Sequence, residues 1–207
     1  MIEHLIFDFD GTIADSYPLF LKFMKIIGEE NRLEQNCCDE ELDRYLKITI
    51  YHAFEYLGWD KTLSKKAFLE RFHQLQAEYA FDFVAFPEAV ELLEYAVQNG
   101  KKNYVYTHSG SIVREMLKNM GIDHLFTFLL DSSYGFPAKP APNALNYLCE
   151  RFALDPKDCM MIGDRPIDAH AGMNAGMVGC LWDAGGLFPD AKVDHMVKEL
   201  SEVKKLL

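Results

Sequence analysis

Apolar residues in this chain follow two different rhythms. Short continuous apolar runs occur at 4–10, 103–107, 127–131, 159–162 and 177–182. Runs of this length read as strands, and the absence of polar alternation predicts burial on both faces, as in a parallel sheet. Helical spacing fills the gaps between the later runs. One helical stretch opens at Pro87 and stops at Gly100, a second covers 111–120 and stops at Gly121, and a third covers 142–152. Proline at the start and glycine just past the end is the expected asymmetry of helix termini. Alternating strands and helices predict an α/β fold, a Rossmann-like parallel sheet with helices on both faces.

Residues 16–84 break the alternation and contain no strand-like run. Phe20, Phe23, Met24 and Ile27 fall on one helical face. Leu42, Leu46, Ile50 and Leu57 form a second such set, and Phe68, Phe72, Leu75 and Tyr79 a third. Turns are expected at 36–39 and 58–62. The pattern predicts a helical bundle inserted after the first strand, with the aromatic stripes as its core rather than a cofactor box. The expected division is a core of residues 1–15 and 85–207, with the bundle at 16–84 and hinge strands at 11–16 and 81–86.

Composition narrows the function classes. The chain has 207 residues, 49% of them apolar and 26% charged, enough to bury a core without disulfide or metal staples. No apolar run approaches the ~20 residues of a membrane-spanning helix. Residues 1–9 reach acidic positions at once and lack a basic leader, so a cytoplasmic location is expected. The formal net charge of −11 argues against a nucleic-acid partner, which would call for a basic face. An anionic substrate stays compatible with an acidic protein when a divalent cation neutralises the site. Five cysteines, an odd number with no CxxC pair, read as reduced thiols.

Chemistry concentrates at the ends of the predicted strands, where open α/β sheets bind ligands. Asp8 and Asp10 close the first run, two apart and so on one face of a strand. Asp10 suits a turn before Gly11, but Asp8 lies inside an apolar run, where a turn role explains it poorly. A second acidic pair, Asp164 and Asp168, follows the run at 159–162. Taken alone, Asp164 could be a helix N-cap. Two strand ends both terminating in acids favour a shared magnesium site, because Mg²⁺ prefers carboxylate oxygens. Thr107, His108 and Ser109 end another run before Gly110, where a hydroxyl and main-chain N–H groups make either an anion site or an ordinary cap. Lys139 sits among prolines in Ala138-Lys139-Pro140-Ala141-Pro142, as a fixed ammonium or a solvated loop lysine.

In order along the chain, Asp8-Phe9-Asp10-Gly11-Thr12, Thr107, Lys139-Pro140-Ala141-Pro142 and Gly163-Asp164 with Asp168 resemble the four motifs of the haloacid dehalogenase-like (HAD) hydrolase superfamily. Gly172-Met173-Asn174-Ala175-Gly176-Met177 is similar to the phosphoglycolate phosphatase-like branch, and the inserted bundle matches a helical cap after the first motif in position and helicity only. The resemblance covers about two-thirds of the chain. It implies a magnesium-dependent phosphatase acting on small phosphate monoesters, phosphoglycolate among them, through an aspartyl-phosphate intermediate. Asp8 would be nucleophile and metal ligand. Asp10 would be general acid and base and bind metal through its carbonyl. Thr107 and the backbone near His108 would bind phosphate. Lys139 would orient Asp8 and hold phosphate, and Asp164 would be the other metal ligand with Asp168 behind it.

His108 departs from the family, whose members often carry Asn at a position that commonly faces substrate; the alternative is a surface histidine without a role. A phosphosugar mutase of the same superfamily would use Asp8 and Asp10 similarly, and a non-catalytic regulatory protein would need only the fold. Arg44, Lys47, His52, Lys61, Arg71 and His73 are the candidates for substrate selection. Oligomeric state is not readable from the chain.

Overall fold

In the computed structural model, which describes residues 1–207, the chain divides into two units: Met1–Ala14 with Val84–Leu207, and Asp15–Phe83. The regular elements in chain order are β1 (His4–Phe7), α1 (Tyr17–Asn31), α2 (Asp39–Ile48), α3 (Ile50–Tyr56), α4 (Lys65–Glu78), α5 (Pro87–Gln98), β2 (Lys102–Tyr106), α6 (Val113–Asn119), β3 (Phe126–Leu130), α7 (Asn143–Phe152), β4 (Cys159–Gly163), α8 (Pro166–Asn174), β5 (Val178–Trp182) and β6 (His195–Val197). No helix is long and apolar enough to cross a membrane.

The six strands of the first unit form one parallel sheet in the order β3-β2-β1-β4-β5-β6. The sequence of β1 explains its central place. Leu5, Ile6 and Phe7 are wholly buried, as a strand covered on both faces requires. From β1 the chain winds outward through β2 to β3, then returns to the other side of β1 with β4. The strand order therefore reverses between β1 and β4, and the crevice beyond their carboxyl ends is the switch point where such sheets bind ligands. Strand β6 is a sixth element that the apolar pattern did not announce; three residues are too few to show a period.

Glycine sets how closely α8 lies against the sheet. A Cβ at Gly172 would stand 2.6 Å from the Cβ of Met161 on β4, and one at Gly179 on β5 would stand 2.5 Å from the carbonyl oxygen of Ala169. Only a hydrogen fits at either place. The close approach seats the first turn of α8 beside the end of β4.

The second unit is a bundle of α1, α2, α3 and α4. Phe20, Phe23, Phe54, Phe68 and Phe72 are buried in it. Phe20 and Phe72 meet edge to face at 5.0 Å, and Phe54 stacks on Phe68 at 4.4 Å. Truncating any one of them to alanine would cost about 3–5 kcal/mol. The set Leu42, Leu46, Ile50 and Leu57 does not form one helical face, contrary to the expectation. The backbone is extended at Thr49 (φ −163°, ψ 155°), and its hydroxyl accepts the His52 N–H at 2.9 Å, ending α2 and capping α3. The break leaves Ile50 half-buried. A β-branched residue whose hydroxyl competes for backbone N–H groups favours such a cap over a helix interior.

Candidate active site

Strand β1 stops at Phe7, three residues short of the expected run. The Asp8 N–H still reaches across to the Ile162 carbonyl at 2.8 Å, so Asp8 stays tied to the end of β4. Beyond it the chain curls: the N–H groups of Thr12, Ile13 and Ala14 all point at the Phe9 carbonyl, at 3.3, 3.0 and 2.9 Å, with Gly11 at φ 80°. Asp10 therefore leaves the strand inside a tight turn, and the expected pairing of Asp8 and Asp10 on one strand face gives way to turn geometry that the positive φ of Gly11 permits. The Asp10 carboxylate accepts a hydrogen bond from the Ser109 hydroxyl at 2.6 Å.

Around Asp8 the side chains of the other strand ends converge. Asp8 Oδ1 accepts from Lys139 Nζ at 2.6 Å, and the same ammonium donates to Asp168 Oδ1 at 2.8 Å. All three residues are buried. Asp8 Oδ2 is also buried and has no hydrogen-bond partner; a guanidinium nitrogen of Arg165 lies 3.8 Å from it. Asp168 is committed at both oxygens, because Oδ2 accepts the Arg165 N–H at 3.1 Å and so closes the first turn of α8. Arg165, not Asp164, precedes that helix as its N-cap. Asp164 instead accepts from the Thr12 hydroxyl at 3.3 Å. A Cβ on Gly163 would fall 2.3 Å from the Cβ of Asp168, so glycine at the end of β4 is what lets Asp168 lie inward.

The charges explain how protons are distributed. Burial pushes the Asp8 pKa up and the neighbouring Asp168 charge adds to that, against the pull of Lys139 and Arg165; the result is about 6. Burial also opposes ionisation of Asp168, but Lys139 and Arg165 outweigh it and hold its pKa below the ordinary value. The difference follows from hydrogen bonding: Asp168 has partners on both oxygens and Asp8 on one. Burial disfavours the Lys139 charge, yet Asp168 and Asp8 together raise its pKa.

Asp8, Asp164 and Asp168 each offer a carboxylate oxygen, and these oxygens all lie within 4.8 Å of one another. Three carboxylates face two cationic side chains there, and one buried oxygen of Asp8 is orphaned. A divalent oxygen-seeking cation fits both features.

Thr107 and His108 follow β2. Thr107 is buried and its Oγ1 accepts the Ser109 N–H at 3.0 Å, which leaves the hydroxyl proton to be donated elsewhere. His108 is exposed at the residue level, but its Nε2 accepts the Lys139 main-chain N–H at 2.9 Å. The side chain is thus tied to the loop that carries Lys139. An accepting Nε2 places the proton on Nδ1. Partial desolvation of the ring, which leaves the residue exposed as a whole, then the Lys139 and Arg165 charges, push its pKa down to about 4.

Arg165 is a site neighbour that the sequence did not single out; Thr12 stood there only as part of the first motif, and Ser109 only as an anion site or cap, not as a partner of Asp10. Among the candidates for substrate selection, Arg71 is engaged by Glu30 and Glu78, each at 2.8 Å. Lys47 pairs with Asp43 at 2.7 Å. Arg44 lines a cleft of about 380 Å³ with Cys38, Glu40, Glu41, Tyr45 and Ile48.

Residues 5–181 match the family model of the haloacid dehalogenase-like hydrolases. The chain belongs to that family of enzymes. A phosphoglycolate phosphatase of Pasteurella multocida is 29% identical over 218 residues, covering 97% of this chain and 96% of that one. One from Haemophilus influenzae is 31% identical over 187 residues, covering 82% and 80%. The crystal structure titled as that of "a predicted phosphoglycolate phosphatase" from Haemophilus somnus 129pt superposes with a TM-score of 0.82 over 99% of this chain and 97% of that one. At 22% identity that last likeness speaks to the fold.

Proposed function

We propose that this protein is a magnesium-dependent phosphatase that hydrolyses small phosphate monoesters through an aspartyl phosphate on Asp8, with phosphoglycolate the first substrate to test. The observation that carries the reading is the state of Asp8. It lies at the sheet's switch point, bonded to Lys139 through one oxygen, with the other buried and without a hydrogen bond. A carboxylate in that state is oriented but not saturated, as a nucleophile must be. The phosphatase names of the relatives from Pasteurella multocida and Haemophilus influenzae support the same class.

In this reading Asp8 and Asp164 would supply the carboxylates for magnesium, with the Asp10 main-chain carbonyl as a further oxygen ligand. Asp168 stands behind, since Lys139 and the Arg165 N–H already occupy its oxygens. Bound there, magnesium would neutralise carboxylate charge and stabilise charge on the phosphoryl oxygens. The chain's own residues do the rest. Asp8 attacks phosphorus as the bond to the leaving oxygen breaks. Lys139 and the Thr107 hydroxyl bind the equatorial oxygens, where charge spreads in the transition state. Asp10 gives its proton to the departing alkoxide. It then takes one from the water that attacks the aspartyl phosphate, which releases inorganic phosphate and restores Asp8. The Ser109 hydroxyl holds the Asp10 carboxylate in place for both transfers.

The bundle of residues 15–83 acts in this reading as a cap that excludes water and chooses the leaving group. The test is release of inorganic phosphate from a panel of phosphorylated metabolites, phosphoglycolate included, with magnesium and with a chelator. Magnesium-dependent release from at least one small monoester is expected. Interconversion of phosphosugar isomers without phosphate release would replace the phosphatase reading with a mutase.

A further inference from the structure

We propose that His108 is a positioning residue for Lys139, acting through the main chain rather than on the substrate; the inference rests on the reading of Asp8 and Lys139 given above. The segment that carries Lys139 is poorly equipped to hold itself. Pro137, Pro140 and Pro142 have no N–H to donate, so the loop cannot form a ladder with a neighbouring strand. Within it, the Ala141 N–H reaches back to Ala138. Its main chain is tied to other elements by side chains at two consecutive residues. The Lys139 N–H donates to His108 Nε2 at 2.9 Å, and the Pro140 carbonyl accepts from Asn174 Nδ2, at the end of α8, at 2.9 Å.

His108 also belongs to a seat for the lysine side chain. Tyr106 and His108 are two residues apart where β2 runs out, so their side chains project to the same side. The Tyr106 ring lies 4.6 Å from Lys139 Nζ and stands edge to face with the His108 ring at 6.0 Å. One ring thus meets the ammonium and the other meets the backbone amide of the same residue. Beyond this seat Nζ spans Asp8 and Asp168, at 2.6 and 2.8 Å. With the amide fixed, the lysine stem delivers its charge to one place. With the amide released, the main chain of the loop keeps only the Asn174 tie, and Nζ can keep its ion pairs from a shifted backbone. A misplacement of about 1 Å in such a constellation costs roughly 10²-fold in rate.

The experiment is a double-mutant cycle on the full-length protein with magnesium and p-nitrophenyl phosphate as the probe. Lys139→Ala removes Nζ but keeps the amide that His108 accepts from. In the parent protein, His108→Phe should lower kcat by about 10–100-fold, with KM changed by less than about threefold. His108→Gln, whose Oε1 sits near the place of Nε2, should stay within about threefold of the parent. In the Lys139→Ala background, His108→Phe should cost less than about twofold, because the group it positions is gone. His108→Ala repeats the test if the Phe variant does not melt like the parent. An equal loss from His108→Phe in both backgrounds would place His108 on the substrate and overturn the inference, as would full activity of His108→Phe beside an inactive Lys139→Ala. Full activity of both Lys139→Ala and Asp8→Asn would overturn the functional reading itself and this inference with it.

Discussion

The state of Asp8 makes an unusual demand on stability: its removal should strengthen the metal-free fold. In the folded chain burial and the Asp168 charge raise the Asp8 pKa from 3.8 to about 6. A carboxyl that holds its proton more tightly folded than unfolded contributes most stability below the unfolded pKa and loses it as pH climbs through the folded one. The shift amounts to about 3 kcal/mol at 1.36 kcal/mol per unit. Nearly all of it is lost by about pH 8, and about half by pH 5. Asp8→Asn removes the charge, keeps an oxygen to accept from Lys139 Nζ, and puts an amide where the orphaned Oδ2 sits. In a chelator at about pH 8 the variant should therefore be more stable than the parent by up to about 3 kcal/mol, while losing at least ~10³-fold in turnover. The assay is urea unfolding of both proteins at about pH 5 and pH 8 in EDTA. The gap should narrow toward acid, and magnesium should narrow it too, by binding the parent more tightly. An Asp8→Asn variant less stable than the parent at pH 8 in EDTA would refute the argument, because it would mean that the Asp8 charge is well compensated by Lys139 and Arg165 alone.

Three further outcomes follow from the same geometry. Gly163→Ala should displace Asp168, destabilise the protein by about 1–3 kcal/mol through overpacking and lower kcat; an active, fully stable variant in a thermal melt and turnover assay would show that the carboxylate has room to move. Exhaustive chelation should abolish phosphate release, with magnesium restoring it and calcium inhibiting, since a larger and more flexible coordination shell misplaces the nucleophile; full activity in chelated enzyme would remove the metal from the account. Ser109→Ala should cost about tenfold in kcat with an alkyl phosphate, whose leaving oxygen needs the Asp10 proton, and less with p-nitrophenyl phosphate, whose leaving group does not; equal losses on both substrates would detach Ser109 from the acid.

Much of this fold is legible in the sequence. Continuous apolar runs marked five strands because a parallel sheet buries both faces, and acids stood out at two of their ends, Asp8 directly after Phe7 and Asp164 one glycine beyond Ile162. What escaped has a common physical cause. The His108–Lys139 bond joins residues 31 apart through one side chain and one amide, and no periodicity encodes such a meeting. Arg165 reads as one more charged residue until α8 places it beside Asp8 and Asp168. The break at Thr49 was hidden because apolar spacing continued across it. Strand β6 was too short to have a rhythm, and gains its place only by pairing with β5.

The account turns on a covalent bond to Asp8, and one measurement addresses it. Asp10→Asn removes the group that should deprotonate water, while p-nitrophenolate leaves without needing an acid. Mixed with p-nitrophenyl phosphate and magnesium, this variant should release one p-nitrophenolate per active site in a burst and then stall. Borohydride added at the stall should reduce the acyl phosphate, and peptide mass spectrometry should find homoserine at residue 8. Steady turnover by the parent, with neither burst nor homoserine in the variant, would contradict a phosphorylated Asp8.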